Sequence, residues 1–241
     1  MRKIHGVLIG VALLLVSPRA LGVVVTFEEP ALEVAVRVAL DKPVGDITDT
    51  EMATILELEV AFTSVPSGAL PLTGIEYCTS LETLTCCFKA PGLTDEQIVA
   101  RLGEISVVTS LRSLTVTGAV AAGGCSLRSY AVLGTAVDVS PLAALTNLEY
   151  LMLFVSAADV APLSALSSLN TLISSAATVE QIADIATMTQ VQVLKLPHLL
   201  WDAPDQIVPL ASMTGLRDLM IEWVRSTLDT ESLPAVPQVE S

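Results

Sequence analysis

Hydrolytic or nucleophilic chemistry needs an imidazole, thiol or amine beside a nucleophile or a carboxylate, and such groups are few here. The chain has two His, at 5 and 198, and four Cys, at 78, 86, 87 and 125. A triad would have to be built on His198, which follows Pro197 and precedes Asp202 and Asp205. No Gly-x-Ser-x-Gly elbow, His-Glu-x-x-His pair, phosphate-cradling glycine loop or Cys-x-x-Cys accompanies it. The 26 acids are scattered, not framed on a common cleft as the carboxylate pair of a glycosidase would be. Around Asp46 and Asp49 the Asp-x-Asp-x-Asp-Gly spacing of a calcium loop is missing, and the cysteines have no zinc spacing. These residues predict no catalytic group, no metal site and no cofactor, so the chain reads as a non-enzyme.

Composition narrows the class. Of 241 residues 52% are hydrophobic, 4% aromatic and 16% charged, with a formal net charge of −14. The apolar share is too high for a disordered chain, and the length is ample for a sizeable core. An acidic balance argues against nucleic acid and anionic membrane surfaces as partners.

Residues 1–22 read as a signal peptide: Arg2 and Lys3 lead into the apolar run Gly6 to Val16, Pro18 breaks any helix, and Ala20-Leu21-Gly22 offers small residues for cleavage. Eleven apolar residues are too few to span hydrocarbon, which takes about 20; a retained anchor or a buried first helix is the alternative. Removal takes three of the 12 bases and no acid, for a net charge of −17, and leaves His198 as the only imidazole. Nothing downstream is long and apolar enough to span a membrane. Export would make disulfides available to Cys78, Cys86, Cys87 and Cys125, whose pairing the spacing does not choose; the plainer reading buries Cys78 and Cys86 as small apolar groups.

The elements that would position any site come from a repeat. Six segments superimpose on one frame, with first apolar residues Leu81, Leu111, Leu148, Leu169, Val191 and Leu216. The last three steps are 21, 22 and 25 residues and the first two are 30 and 37; a weaker copy, Cys125 to Val132, divides the longest gap. Each copy reads L-x-x-L-x-L, as in Leu148, Leu151 and Leu153, and its last two apolar residues have the period of a strand. Upstream stand Val139, Leu142, Leu145 and Val160, Leu163, Leu166 with Pro141 and Pro162 between, and a degraded form in Ile207, Leu210, Met213. Proline ahead of apolar residues at such spacing suits one short helical or 3₁₀ turn. A unit of strand, turn and short helical return cannot bury its own apolar face, but stacked units can.

The chain resembles the internalin-type leucine-rich-repeat proteins of the bacterial surface over about residues 27–224. The resemblance rests on Leu72-Thr-Gly-Ile-Glu-Tyr-Cys-Thr-Ser-Leu81, on Asp138-Val-Ser-Pro-Leu-Ala-Ala-Leu-Thr-Asn-Leu148, and on the segment Phe27–Asp49, which is similar to the helical segment preceding the repeats in that family. It implies an α/β solenoid: a leucine-rich-repeat right-handed superhelix with a parallel β-sheet on the concave face and an N-terminal helical cap. The divisions expected are a signal peptide (1–22), a helical cap (23–70), the repeat solenoid (71–224) and a linker or disordered tail (225–241). Within the cap, Leu32, Val36, Ala39 and Leu40 share a helical face, and Asp49-Thr50-Glu51 opens a second helix with Met52, Ile55, Leu56 and Leu58 inward. Residues 95–105, with Ile98, Leu102 and Ile105, predict a helix inside the long first repeat. The sequence departs from the family where many repeats carry Asn: Lys89, Ala119, Ser156, Ala177, Leu199 and Val224 stand there instead. Gly118–Val137, with Gly123-Gly124, reads as a degenerate repeat or an insertion.

Alternation along the strands turns Thr83, Thr85 and Cys87; Ser113, Thr115 and Thr117; Tyr150, Met152 and Phe154; Thr171, Ile173 and Ser175; Val193, Lys195 and Pro197; and Asp218, Met220 and Glu222 to the outer side of the sheet. Large apolar groups there mark an interface, so Tyr150, Met152, Phe154, Ile173, Lys195 and Met220 are the expected partner-binding residues, for a protein or a glycan. A frame slipped by one residue would instead bury them. Trp201 and Trp223, just beyond strands, would rim this surface or cover the core. The reading is a secreted or cell-surface binding module; a passive spacer in a larger surface protein and an extracellular hydrolase are the alternatives.

Overall fold

The computed structural model describes residues 22–62, 71–88, 93–119, 130–131, 133–175, 178–199 and 204–223. Residues 1–21 of the expected signal peptide, the tail from 225, Cys125, Trp201 and Asp202 lie outside the described residues.

The helices are α1 (Pro30–Ala39), α2 (Asp49–Met52), α3 (Asp95–Ile105) and α4 (Val179–Ala186). The strands are β1 (Glu57–Phe62), β2 (Thr83–Phe88), β3 (Ser113–Ala119), β4 (Tyr130–Ala131), β5 (Leu133–Asp138), β6 (Tyr150–Leu153), β7 (Val155–Asp159), β8 (Thr171–Ser174), β9 (Val193–Leu199) and β10 (Asp218–Trp223). Among the described residues β1, β2, β3, β6, β8, β9 and β10 pair side by side in parallel and in chain order. Register follows the sequence frame: Leu84, Leu114, Leu151, Leu172 and Leu194 are aligned across the sheet.

The polar backbone repeats with the frame. Ahead of each strand one carbonyl accepts two N–H groups from the next unit: Leu56 O from Glu82 and Thr83, Glu82 O from Arg112 and Ser113, Arg112 O from Glu149 and Tyr150. The series continues through Glu149 O, Asn170 O and Gln192 O. Backbone groups buried between stacked units need such partners, and side chains from one unit satisfy others in the last. Ser110 Oγ donates to Leu81 O at 2.7 Å, Asn147 Nδ2 to Thr109 O at 2.9 Å and Gln190 Nε2 to Leu166 O at 3.0 Å.

The returns form a second layer. Pro141 starts a 3₁₀ turn over Ser140–Ala144 and Pro162 another over Ala161–Ala165; Pro209 lies inside a longer one, Pro204–Ser212. These turns pack on each other, on α3 and on α4 in chain order, beside the parallel pair β5–β7. Between the layers run the framed residues: Leu81, Leu111, Leu148, Leu169, Val191 and Leu216, with Val139, Leu142, Leu145, Val160, Leu163, Leu166, Ile207, Leu210 and Met213, are all buried. Each buried Leu contributes about 1.5–3 kcal/mol relative to exposure. α3 covers the core with Ile98, Leu102 and Ile105, as their spacing predicts, and Thr94 caps it in a box with Gln97. Cys78 and Cys86 are free and buried, also as expected.

The N-terminal segment differs from its sequence reading in three places. On α1 the core face is Leu32, Ala35 and Val36, with Leu40 packed beside it; Ala39 is exposed. The second helix stops at Met52, held by a Thr48–Glu51 capping box, and Leu56 is 54% exposed. Leu58 is buried from a strand, because Glu57–Phe62 alternates and pairs with β2 as the first strand of the sheet. Gly74 (φ 105°) lets the chain pass close over this segment: a Cβ there would meet Val25 Cγ1 at 2.9 Å. In the long gap between β3 and β6, Tyr130–Ala131 runs antiparallel to β3, and β6 pairs with β3 directly. Among the described residues of that gap, Tyr130–Ala131 is therefore not a further parallel strand of the long sheet.

Candidate partner-binding face

Every second residue of a strand leaves the core side, so in-register strands lay their spare side chains in rows. One row runs Glu57, Thr83, Ser113, Tyr150, Thr171, Val193, Asp218, and the next Glu59, Thr85, Thr115, Met152, Ile173, Lys195, Met220. A third, toward the strand ends, holds Ala61, Cys87 and Thr117. The face thus passes from carboxylates on β1 through hydroxyls on β2 and β3 to apolar groups on β6 and β8. Lys195 is the one cation in these two rows.

Of the six expected binding residues, the structure brings Tyr150, Met152, Ile173, Lys195 and Met220 into adjacent positions of the two rows. Tyr150, Ile173, Lys195 and Met220 are half-buried. Met152 and Phe154 are not open: they are 3% and 1% exposed, although neither belongs to the apolar core between the layers. Tyr150 Oη lies 3.7 Å from Met152 Sδ, and burial pushes the Tyr150 phenol above its ordinary value. Phe154 lies past the end of β6, where its N–H donates to Val116 O at 2.9 Å. Burial is general at that end of the face, where Thr117, Ser175 and Pro197 are also buried and Ser175 Oγ donates to Val155 O at 3.0 Å. Cys87 there is disulfide-bonded and buried.

Sequence reasoning missed Glu57, Glu59 and Ala61. A signal for them exists: Ile55, Leu58 and Val60 repeat the L-x-x-L-x-L frame one unit ahead of Leu81, Leu84 and Cys86. The side chains of His198 and Trp223 lie outside the described residues. Among the described residues no group of three or more His, Cys, Asp or Glu could hold a metal ion, and no helix is long and apolar enough to cross a membrane.

No protein-family model matches this sequence, and neither does any curated protein. Solved structures do resemble it. Internalin C2 of Listeria monocytogenes aligns with a TM-score of 0.50 at 20% identity, covering 88% of this chain and 92% of that one. InlP of the same organism aligns at 0.47 with 14% identity over 89% of this chain and 63% of that one. InlF, also of L. monocytogenes, aligns at 0.33 with 20% identity over 83% and 72%. The likeness to internalin C2 is one of fold: this chain has an internalin-like α/β architecture of helices and parallel sheet.

Proposed function

We propose that this chain is an exported leucine-rich-repeat solenoid, a right-handed superhelix with its long sheet on the concave side, that binds a protein partner without catalysis. Residues 1–22 would direct export, 23–70 cap the first unit, 71–224 form the binding solenoid and 225–241 serve as a linker. The observation that carries the reading is the in-register alignment of half-buried Tyr150, Ile173, Lys195 and Met220 on adjacent strands of one face. Such a surface gains affinity from a few large groups desolvated together. A rigid sheet holds them in place before the partner arrives, which lowers the cost of binding. Met152, on the same face, would act by supporting Tyr150, whose Oη lies 3.7 Å from its Sδ, and Phe154 would close the buried end of that face.

The fold also resembles that of internalin C2, which favours a secreted or surface location and a protein ligand. The test is capture of surface proteins by the immobilised full chain and by a Tyr150→Ser, Met220→Ser double variant. The expected result is a specific captured protein that the double variant loses, with thermal unfolding shifted by only a few degrees. Equal capture by both forms, or no protein retained by either, would refute a binding role for this face.

A further inference from the structure

Beside the first strand, away from Tyr150 and its neighbours, α1 and the sheet leave a cleft of about 730 Å³. One wall is a single stripe of α1, with Ala31, Val34 and Val38 at helical spacing. Val34 and Val38 are 62% and 76% exposed, although Leu32 and Val36 on the neighbouring stripe are fully buried. Opposite stand Glu57 and Glu59, two residues apart on β1 and so on one face, with Thr85 next to Glu59 on β2. Both carboxylates are exposed.

The ion pairs around this cleft leave those two acids over. Arg37 pairs with Glu33, Lys42 with Glu51, and Arg101 with Glu29 and Glu104. Among the described residues no Lys or Arg pairs with Glu57 or Glu59. Two carboxylates without a cation, facing two exposed valines across an open cleft, make an apolar site of definite sign.

We propose that this cleft docks a cationic, apolar segment of a partner protein, with Lys or Arg meeting Glu57 and Glu59 and aliphatic side chains covering Val34 and Val38. Apolar contact supplies the burial, and the carboxylates set which sequences enter and speed their arrival. The formal net charge of −14 draws such a segment in and repels an acidic one. The inference reaches beyond the binding face at the sheet centre and does not depend on it.

The test uses the full chain and a fluorescein-labelled peptide of alternating Leu and Lys, followed by anisotropy at physiological salt. The same peptide with Glu in place of Lys, and with Ser in place of Leu, are the comparisons. Binding of the Leu/Lys peptide should weaken about tenfold with Glu57→Gln plus Glu59→Gln, and again with Val34→Lys plus Val38→Lys. Lys is a better helix former than Val, and both valines are exposed, so the second pair preserves α1. Glu96→Gln plus Glu180→Gln, which removes as much charge from exposed positions outside the cleft lining, and Tyr150→Ser should leave binding unchanged. Equal binding of the Leu/Glu or Ser/Lys peptide would overturn the proposal. So would weakening by the remote glutamate pair or by Tyr150→Ser as large as that at the cleft. A sedimenting dimer abolished by Val34→Lys plus Val38→Lys would also overturn it, by making a second copy the occupant.

Discussion

The most demanding single residue is Arg101. It is 4% exposed on α3, and its guanidinium pairs with Glu29 at 3.0 Å and lies 5.5 Å from the Phe62 ring centroid, where Phe62 stacks on Phe88. Glu29 in turn accepts the Ala31 N–H at the start of α1. One cation thus ties the first helix to the third. Removing it strands a buried carboxylate, so Arg101→Met should cost roughly 3–5 kcal/mol in urea unfolding, and Glu29→Gln added to it should recover part of that loss. At the same scale, burial pushes the thiols of Cys78 and Cys86 up to about 12, aided at Cys78 by the nearby Glu76 charge and opposed at Cys86 by Arg101. The thiolate is the reactive form, so mass spectrometry after iodoacetamide at mildly alkaline pH should find both unmodified in the native chain and both alkylated in guanidine.

Elements are set by their ends as much as by their apolar faces. At the turn after β5, the Asp138 carboxylate accepts the Ser140 N–H at 2.8 Å and the Ser140 hydroxyl at 3.0 Å, and these bonds hold its pKa below the ordinary value. Asp159 repeats the arrangement one unit on, accepting the Ala161 N–H at 2.8 Å. A depressed carboxylate stabilises the fold above its unfolded pKa and loses that effect as pH falls through the folded one. Asp138→Ala should therefore lower the melting temperature at neutral pH, with the gap to the parent narrowing below the ordinary carboxylate range. The Val-x-Pro-Leu-x-x-Leu pattern made these turns legible, because proline fixes the start and the apolar spacing fixes which side faces in. β1 was less legible: its two glutamates and the preceding capped helix pull the local reading toward helix. Only pairing with β2 shows that Leu58 and Val60 enter the core from a strand.

Among the described residues, neighbouring strands pack side by side and the returns pack on one another, so a side chain counts for most where its strand is flanked on both sides. Central units have a neighbour on both sides. Leu151 on β6 is fully buried, but Leu219 on β10 is only partly so. Leu151→Ala should cost roughly 2–5 kcal/mol and Leu219→Ala clearly less, since a partly buried side chain leaves a smaller cavity. Hydrogen exchange should agree, with amides of β6 and β8 protected longest and those of β10 opening first. Equal protection along the sheet would mean that the units open as one block.

In the six framed segments leucine spacing alone determined which side chains enter the core, where those strands begin and which of their residues share the other face, because period and side follow from covalent geometry. The in-frame order of the strands was implicit in the same repeat. Tertiary structure decided what that geometry cannot reach. Tyr150, Met152 and Phe154 alternate identically, yet the first stays half open and the other two are buried, since exposure depends on tertiary packing, which alternation does not encode. Likewise Glu57 and Glu59 acquire meaning only when α1 folds back beside β1 and the nearby bases are engaged by other acids.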